Sequence, residues 1–186
     1  MSAKNAFILV FLSIFIGWVI LSREAMAVTT ASERIAVTLV IDTSGSMAET
    51  DPNHLRKTAA DIFVDMLSPE DHVGIVSFAT EATELVPMQQ VGDTANKQTI
   101  KNTLASITEV NGNTNYRAAL EKAEEQLGSI DDPNVRKVIL FLTDGVPEPD
   151  YALREDIALM TAYMDSVWQT TARLGQKGIA VYPLGF

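Results

Sequence analysis

The sequence predicts an α/β fold: a doubly wound, mostly parallel sheet with helices on both faces and one short antiparallel edge strand. Three observations carry that prediction. Segments such as "IAVTLVI" and "KVILFLT" are apolar throughout, as strands are when helices cover both faces of their sheet. They alternate with stretches whose apolar residues recur at helical spacing. Turn residues separate the two kinds of segment, and such alternation means parallel strands joined by crossover helices.

Residues 34–42 read as the first buried strand, with Thr38 its one polar interruption. Asp51 is placed to cap a helix with Pro52 at the first position. That helix, residues 53–67, takes Leu55, Ala59, Ile62, Phe63 and Met66 as its apolar face. Residues 72–79 form a second strand. A shorter third, residues 84–88, pairs antiparallel with it through a tight turn at residues 80–82. Asp93 opens a helix with Ile100, Leu104 and Ile107 on one side, and residues 109–115 are a turn-rich loop. The helix over 116–127 buries Ala119, Leu120, Ala123 and Leu127. A fourth strand ends in "TDG", followed by a "VPEPD" loop. A long helix over 152–174 has Leu153, Ile157, Met160, Met164, Val167 and Leu174 as its seam. Gly178 precedes a last strand, residues 179–184.

The chain has 186 residues, 47% hydrophobic and 20% charged, enough for one domain with a sizeable core. A net charge of −10 and no basic stripe argue against nucleic acid as a partner, since phosphate binding needs clustered Lys and Arg. The absence of cysteine excludes disulfides, thiolate zinc sites and cysteine nucleophiles. Lys4, an apolar run over residues 6–22 and small residues at Ala25 and Ala27 form the pattern of a secretory signal. If it is not cleaved after Ala27, residues 6–22 become an N-terminal membrane anchor. Either way an exported location is expected: secreted, periplasmic or at the cell surface. The expected organisation is a signal or anchor over 1–27, a linker over 28–33 and one domain over 34–186.

In open parallel sheets, ligands bind beyond the carboxyl ends of the strands, at the switch point. Three loops there carry oxygen ligands. The first strand ends in Asp42-Thr43-Ser44-Gly45-Ser46, the loop before the Tyr116 helix carries Thr114, and the fourth strand ends in Thr143-Asp144-Gly145. Carboxylates and hydroxyls without a soft ligand suit a hard cation such as Mg²⁺. Positions 42, 44 and 46 alternate, so a tight turn can aim three side chains at one point, with Gly45 easing the turn.

Asp-x-Ser-x-Ser after the first strand, the threonine of "GNTNYRAAL" and "FLTDG" after the fourth strand resemble the von Willebrand factor A family. The resemblance covers residues 33–186. It implies a metal-ion-dependent adhesion site in which Ser44, Ser46 and Thr114 bind through hydroxyls. Asp42 and Asp144 would bind directly or through water. The implied ion is Mg²⁺, with Ca²⁺ or Mn²⁺ as alternatives. One coordination position would stay open for an Asp or Glu carboxylate of a protein partner. Members of the family usually have a further helix and a sixth strand beyond the strand that ends here, so the natural chain is expected to continue, or a partner to supply the strand.

Other readings compete. An aspartate at the end of the first strand with Mg²⁺ also fits phosphoryl transfer of the haloacid-dehalogenase type with Asp42 as nucleophile. That chemistry wants a second aspartate where Ser44 stands. A subunit of a membrane-associated chaperone or channel assembly is the third reading. The expectation is a binding module without catalysis. His54 and His72 read as structural, Tyr163 and Trp168 as packing residues, and Glu49, Asp51, Glu148 and Asp150 as a solvated acidic rim around the site.

Overall fold

The computed structural model describes residues 33–108, 112–145, 147–150 and 155–185. The expected signal or anchor, all but the last residue of the linker, part of the turn-rich loop and Leu153 lie outside them. The five strands are β1 (Arg34–Asp42), β2 (His72–Phe78), β3 (Ala82–Gln90), β4 (Val135–Thr143) and β5 (Ile179–Gly185). The helices are α1 (Met47–Thr50), α2 (Leu55–Met66), α3 (Thr94–Ser106), α4 (Tyr116–Gly128) and α5 (Ile157–Gln176).

The sheet order is β3-β2-β1-β4-β5. β1 pairs parallel with β2 and β4, and β4 with β5, whereas β2–β3 is antiparallel. The central position of β1 explains its lack of a polar face. Val37, Leu39 and Ile41 pack on the side of α2 and α3, while Ala36 and Val40 pack on the side of α4. The chain winds one way from β1 to β2 and the other way to β4, so the carboxyl ends of β1 and β4 border the switch point.

β3 is longer than expected, and its pairing with β2 shifts on either side of Ile75. Pro87 lies in that stretch and brings no amide proton to the ladder. Gln126 of α4 compensates: its Nε2 donates to the Val86 carbonyl at 2.9 Å and to Glu84 Oε2 at 2.8 Å. Thr38 Oγ1 donates to Gln126 Oε1 at 3.2 Å, which gives the polar interruption of β1 a partner.

Two helices present faces other than those expected. α2 turns Arg56, Ala60 and Val64 inward, while Leu55, Ile62 and Met66 are exposed, Met66 by 76%. Hydrophobicity alone sends an arginine to solvent, but here the Arg56 guanidinium has buried partners that set the rotation of the helix. Asp51 does not stand next to the first helical residue. The residue before α2 is His54, in the left-handed region at φ 55°, and the Asp51 carboxylate reaches forward to accept from Leu55 N at 2.6 Å and Arg56 N at 3.1 Å. In α5 the buried positions are Val167, Thr170 and Leu174. Ile157 lies on the same stripe but is 84% exposed, because no described element stands opposite the first turn. Trp168 is 70% exposed and lines an apolar groove with Tyr116, Phe141, Met164 and Leu184 instead of packing in the core. Tyr163 does pack, half-buried against the cluster around Phe78 and Phe141.

Candidate metal centre

β1 ends at Asp42, whose side chain is fully buried. Its Oδ1 accepts from Ser44 N at 2.9 Å, folding the chain back on itself immediately after the strand. Its Oδ2 accepts from Thr143 Oγ1 at 2.7 Å, joining the ends of β1 and β4. Thr143 has one hydroxyl proton and gives it to Asp42, so at the 3.0 Å contact between Tyr116 Oη and Thr143 Oγ1 the tyrosine is the donor. Burial pushes the Tyr116 hydroxyl up to about 12, which keeps it a proton donor at neutral pH.

Ser44 and Ser46 hydroxyls stand 3.2 Å apart, Ser44 buried and Ser46 exposed. Alternation about Gly45 thus brings both to one place. Gly45 does not occupy the left-handed region; its N–H donates to the Gly112 carbonyl at 3.3 Å and ties the first loop to the loop carrying Thr114. Thr114 is buried. It is held by a two-way backbone bridge with Glu148, N–H to O at 2.6 and 2.9 Å, so this expected rim acid also braces the site. Asp144 follows β4 and is half-buried. Gly145 behind it has φ 106°, a conformation side chains rarely adopt. Thr50 Oγ1 of α1 reaches Asp144 Oδ2 at 3.0 Å.

At the carboxyl edge of the sheet, then, Asp42 is bonded to Ser44, the Ser44 and Ser46 hydroxyls meet, and Asp144 is bonded to Thr50, with Thr114 on the loop bonded to Gly45. Thr43, in the middle of the same run, is turned away: its Oγ1 and N both donate to the Phe78 carbonyl, at 2.9 and 2.8 Å. Asp51 is not on the rim. It is buried and ion-paired with Arg56, Nη1 to Oδ2 at 2.7 Å. Burial alone would push its carboxyl up, but bonds from the Arg56 amide and guanidinium and the Leu55 amide outweigh it and hold the group low. Thr143, named from the sequence only as part of its loop, and Thr50 and Arg56, not named there, belong to the site's surroundings. Their partners lie 101, 94 and 14 residues away for the contacts to Asp42, Asp144 and the Asp42 carbonyl, beyond the reach of any local pattern.

The electrostatics favour a cation. Burial raises the Asp42 carboxyl above its ordinary value, and the nearby Asp144 charge adds to the rise, against hydrogen bonds from Ser44 and Thr143 that lower it. Among the described residues no Lys or Arg forms an ion pair with Asp42 or Asp144. Two carboxylates and a row of hydroxyls without a third acid, His or Cys match a hard ion that keeps some water.

The mostly parallel sheet with its one antiparallel edge strand places the chain in the doubly wound α/β class. The chain is a member of the von Willebrand factor type A domain family, whose model matches residues 37–146. Domains of this family are generally interaction modules rather than enzymes. A UPF0353 protein of Mycolicibacterium paratuberculosis is 41% identical over 97 residues, 47% of this chain and 28% of that protein. The chain spans under a third of the curated relatives it matches. Among solved structures, an aerotolerance-related membrane protein from Bacteroides fragilis is 25% identical with a TM-score of 0.56, covering 81% of this chain and 67% of that one. Proximal thread matrix protein 1 from the mussel byssus, with a zinc-occupied metal-ion-dependent adhesion site, shares the fold at 21% identity and a TM-score of 0.61, covering 82% of this chain and 35% of that one.

Proposed function

We propose that this domain is a cation-dependent protein-binding module in which Asp42, Ser44, Ser46, Thr114 and Asp144 hold one divalent ion. Mg²⁺ is the ion the donor set suits best, with Ca²⁺ and Mn²⁺ as alternatives. A bound ion would supply a Lewis-acidic position that a partner's Asp or Glu carboxylate can fill. The observation that carries this reading is the 3.2 Å contact of the Ser44 and Ser46 hydroxyls next to Asp42, whose carboxyl feels the charge of Asp144 while no Lys or Arg among the described residues ion-pairs with either acid.

The chain's own residues supply the rest. Thr143 and the Ser44 amide orient the Asp42 carboxylate, and Thr50 orients Asp144. The zinc-occupied metal-ion-dependent adhesion site of the mussel protein supports a divalent ion as the ligand. The leader-like residues 1–27, together with the Bacteroides membrane relative, support export, with residues 34–186 as the exported domain. Among the described residues no helix is long and apolar enough to cross a membrane.

Capture of the partner from native envelope extract, with and without EDTA, tests the proposal. Retention should be lost on chelation and restored by Mg²⁺, and Asp42→Ala should lose it with the fold intact. Retention that ignores both EDTA and Asp42→Ala would refute the metal-bridged mode.

A further inference from the structure

Arg56 is fully buried in the first turn of α2, behind the loop that follows β1. Its Nε donates to the main-chain carbonyl of Asp42 at 2.8 Å. Its Nη1 donates to Asp51 Oδ2 at 2.7 Å. Asp51 in turn accepts from the first amides of α2. One planar fork thus joins the last residue of β1 to the segment between α1 and α2. Asp42 is held at both ends: its carbonyl by Arg56, its carboxylate oxygens by Ser44 N and Thr143 Oγ1.

A buried ion pair is weak evidence for stability, because desolvation offsets much of its attraction. Well-packed apolar residues would fill the same space without that cost. What the pair adds is direction. A guanidinium is rigid and forked, and it fixes two acceptors relative to one another. Stiffness matters differently for different ions. Mg²⁺ demands near-ideal octahedral geometry at about 2.0–2.1 Å, whereas Ca²⁺ accepts variable numbers of oxygens at about 2.3–2.6 Å.

We propose that Arg56, locked by Asp51, is a positioning residue that makes the cation site selective for Mg²⁺ over Ca²⁺ by clamping the Asp42 end of β1 to α2. The proposal rests on the metal reading above and adds the residue that sets ion choice.

Calorimetric titration of the full chain with MgCl₂ and with CaCl₂ tests it. Two variants are compared with wild type. Arg56→Lys keeps the charge but loses the fork. Arg56→Met combined with Asp51→Asn removes both charges of the pair, while the side-chain carbonyl at position 51 can still accept from Leu55 N. In each folded variant Mg²⁺ affinity should fall about tenfold or more, as losses of partners behind metal ligands do, while Ca²⁺ affinity changes by less than about threefold. Should Arg56→Lys fail to fold, the double variant decides. An equal fall for both ions, or an unchanged ratio, overturns the proposal and leaves Arg56 a structural residue. Ser46→Ala separates the two levels. If wild type binds ions and Ser46→Ala does not, yet the Arg56 variants keep the wild-type ratio, only this proposal fails. If wild type takes up neither ion, the metal reading fails and the proposal with it.

Discussion

Replacing Gly74 by alanine would drive a Cβ into Gln126 Oε1 and to 2.9 Å from its Cδ. The Gln126 amide is the flexible end of a side chain and can withdraw, so the direct steric cost is small. The consequence lies in what it leaves behind. Thr38 Oγ1, on a fully buried residue, loses its acceptor, and the buried Val86 carbonyl loses the donor that patches the irregular β2–β3 pairing. Each orphaned buried group costs about 1–3 kcal/mol, while the stiffer unfolded chain returns about 0.4–1 kcal/mol. The net expectation is a loss of about 1–5 kcal/mol, or roughly 2–20 °C in Tm for a domain of this size. Thermal and urea denaturation followed by circular dichroism measure it. Because both substitutions disable the same amide, Gly74→Ala should add little further loss in a Gln126→Ala background. A neutral or stabilising Gly74→Ala, or full additivity with Gln126→Ala, would refute the reasoning.

Two further predictions concern charge. Asp42→Asn should raise the Tm of the metal-free domain at pH 7, because the folded-state carboxyl is raised from 3.8 and its ionisation disfavours the fold. That gain should vanish below pH 3.8, where the wild-type group is protonated in both states, and the variant should show no Mg²⁺-induced rise in Tm at any pH. Glu124 has its carboxyl lowered from 4.5 to about 2, above all by the Arg173 hydrogen bonds, which outweigh the upward push of burial, with Lys177 lowering it further. Its contribution is complete above pH 4.5 and is lost as pH falls through about 2. Glu124→Gln should therefore lower the Tm at pH 7, and melting curves of the two proteins should converge toward pH 2; a gap that stays constant across that range would contradict the assignment.

How far the sequence could be read depended on how local each determinant is. β1 and β4 were legible because burial on both faces leaves an unmistakable apolar run. The grouping of Asp42, Ser44 and Ser46 was legible because alternation within one tight turn is a local property. The inward face of α2 was not: the acceptors that draw Arg56 inside are a carbonyl of β1 and a carboxylate in the preceding turn, and hydropathy registers neither. Asp51 misled for the same reason, since its helix-capping bonds were anticipated but its burial follows from the ion pair with Arg56, which hydropathy does not register. Thr143 stood in full view within "FLTDG", yet its role depends on a strand end far away in the chain. The exposure of Ile157 and Trp168 could not be read from periodicity, which identifies a stripe but not whether anything stands opposite it.

The metal account makes its sharpest distinction inside the run Thr43 to Ser46. Thr43 spends its hydroxyl on the Phe78 carbonyl, which its own N–H also satisfies, so Thr43→Val should cost no more than about 1 kcal/mol of stability and leave the ion site whole. Ser46 offers an exposed hydroxyl beside Ser44 and should be needed. Calorimetric Mg²⁺ titration of wild type, Thr43→Val and Ser46→Ala puts the two side by side. The account predicts wild-type affinity for Thr43→Val and loss of binding for Ser46→Ala. Equal behaviour of the two variants, whether both bind or neither does, would contradict it.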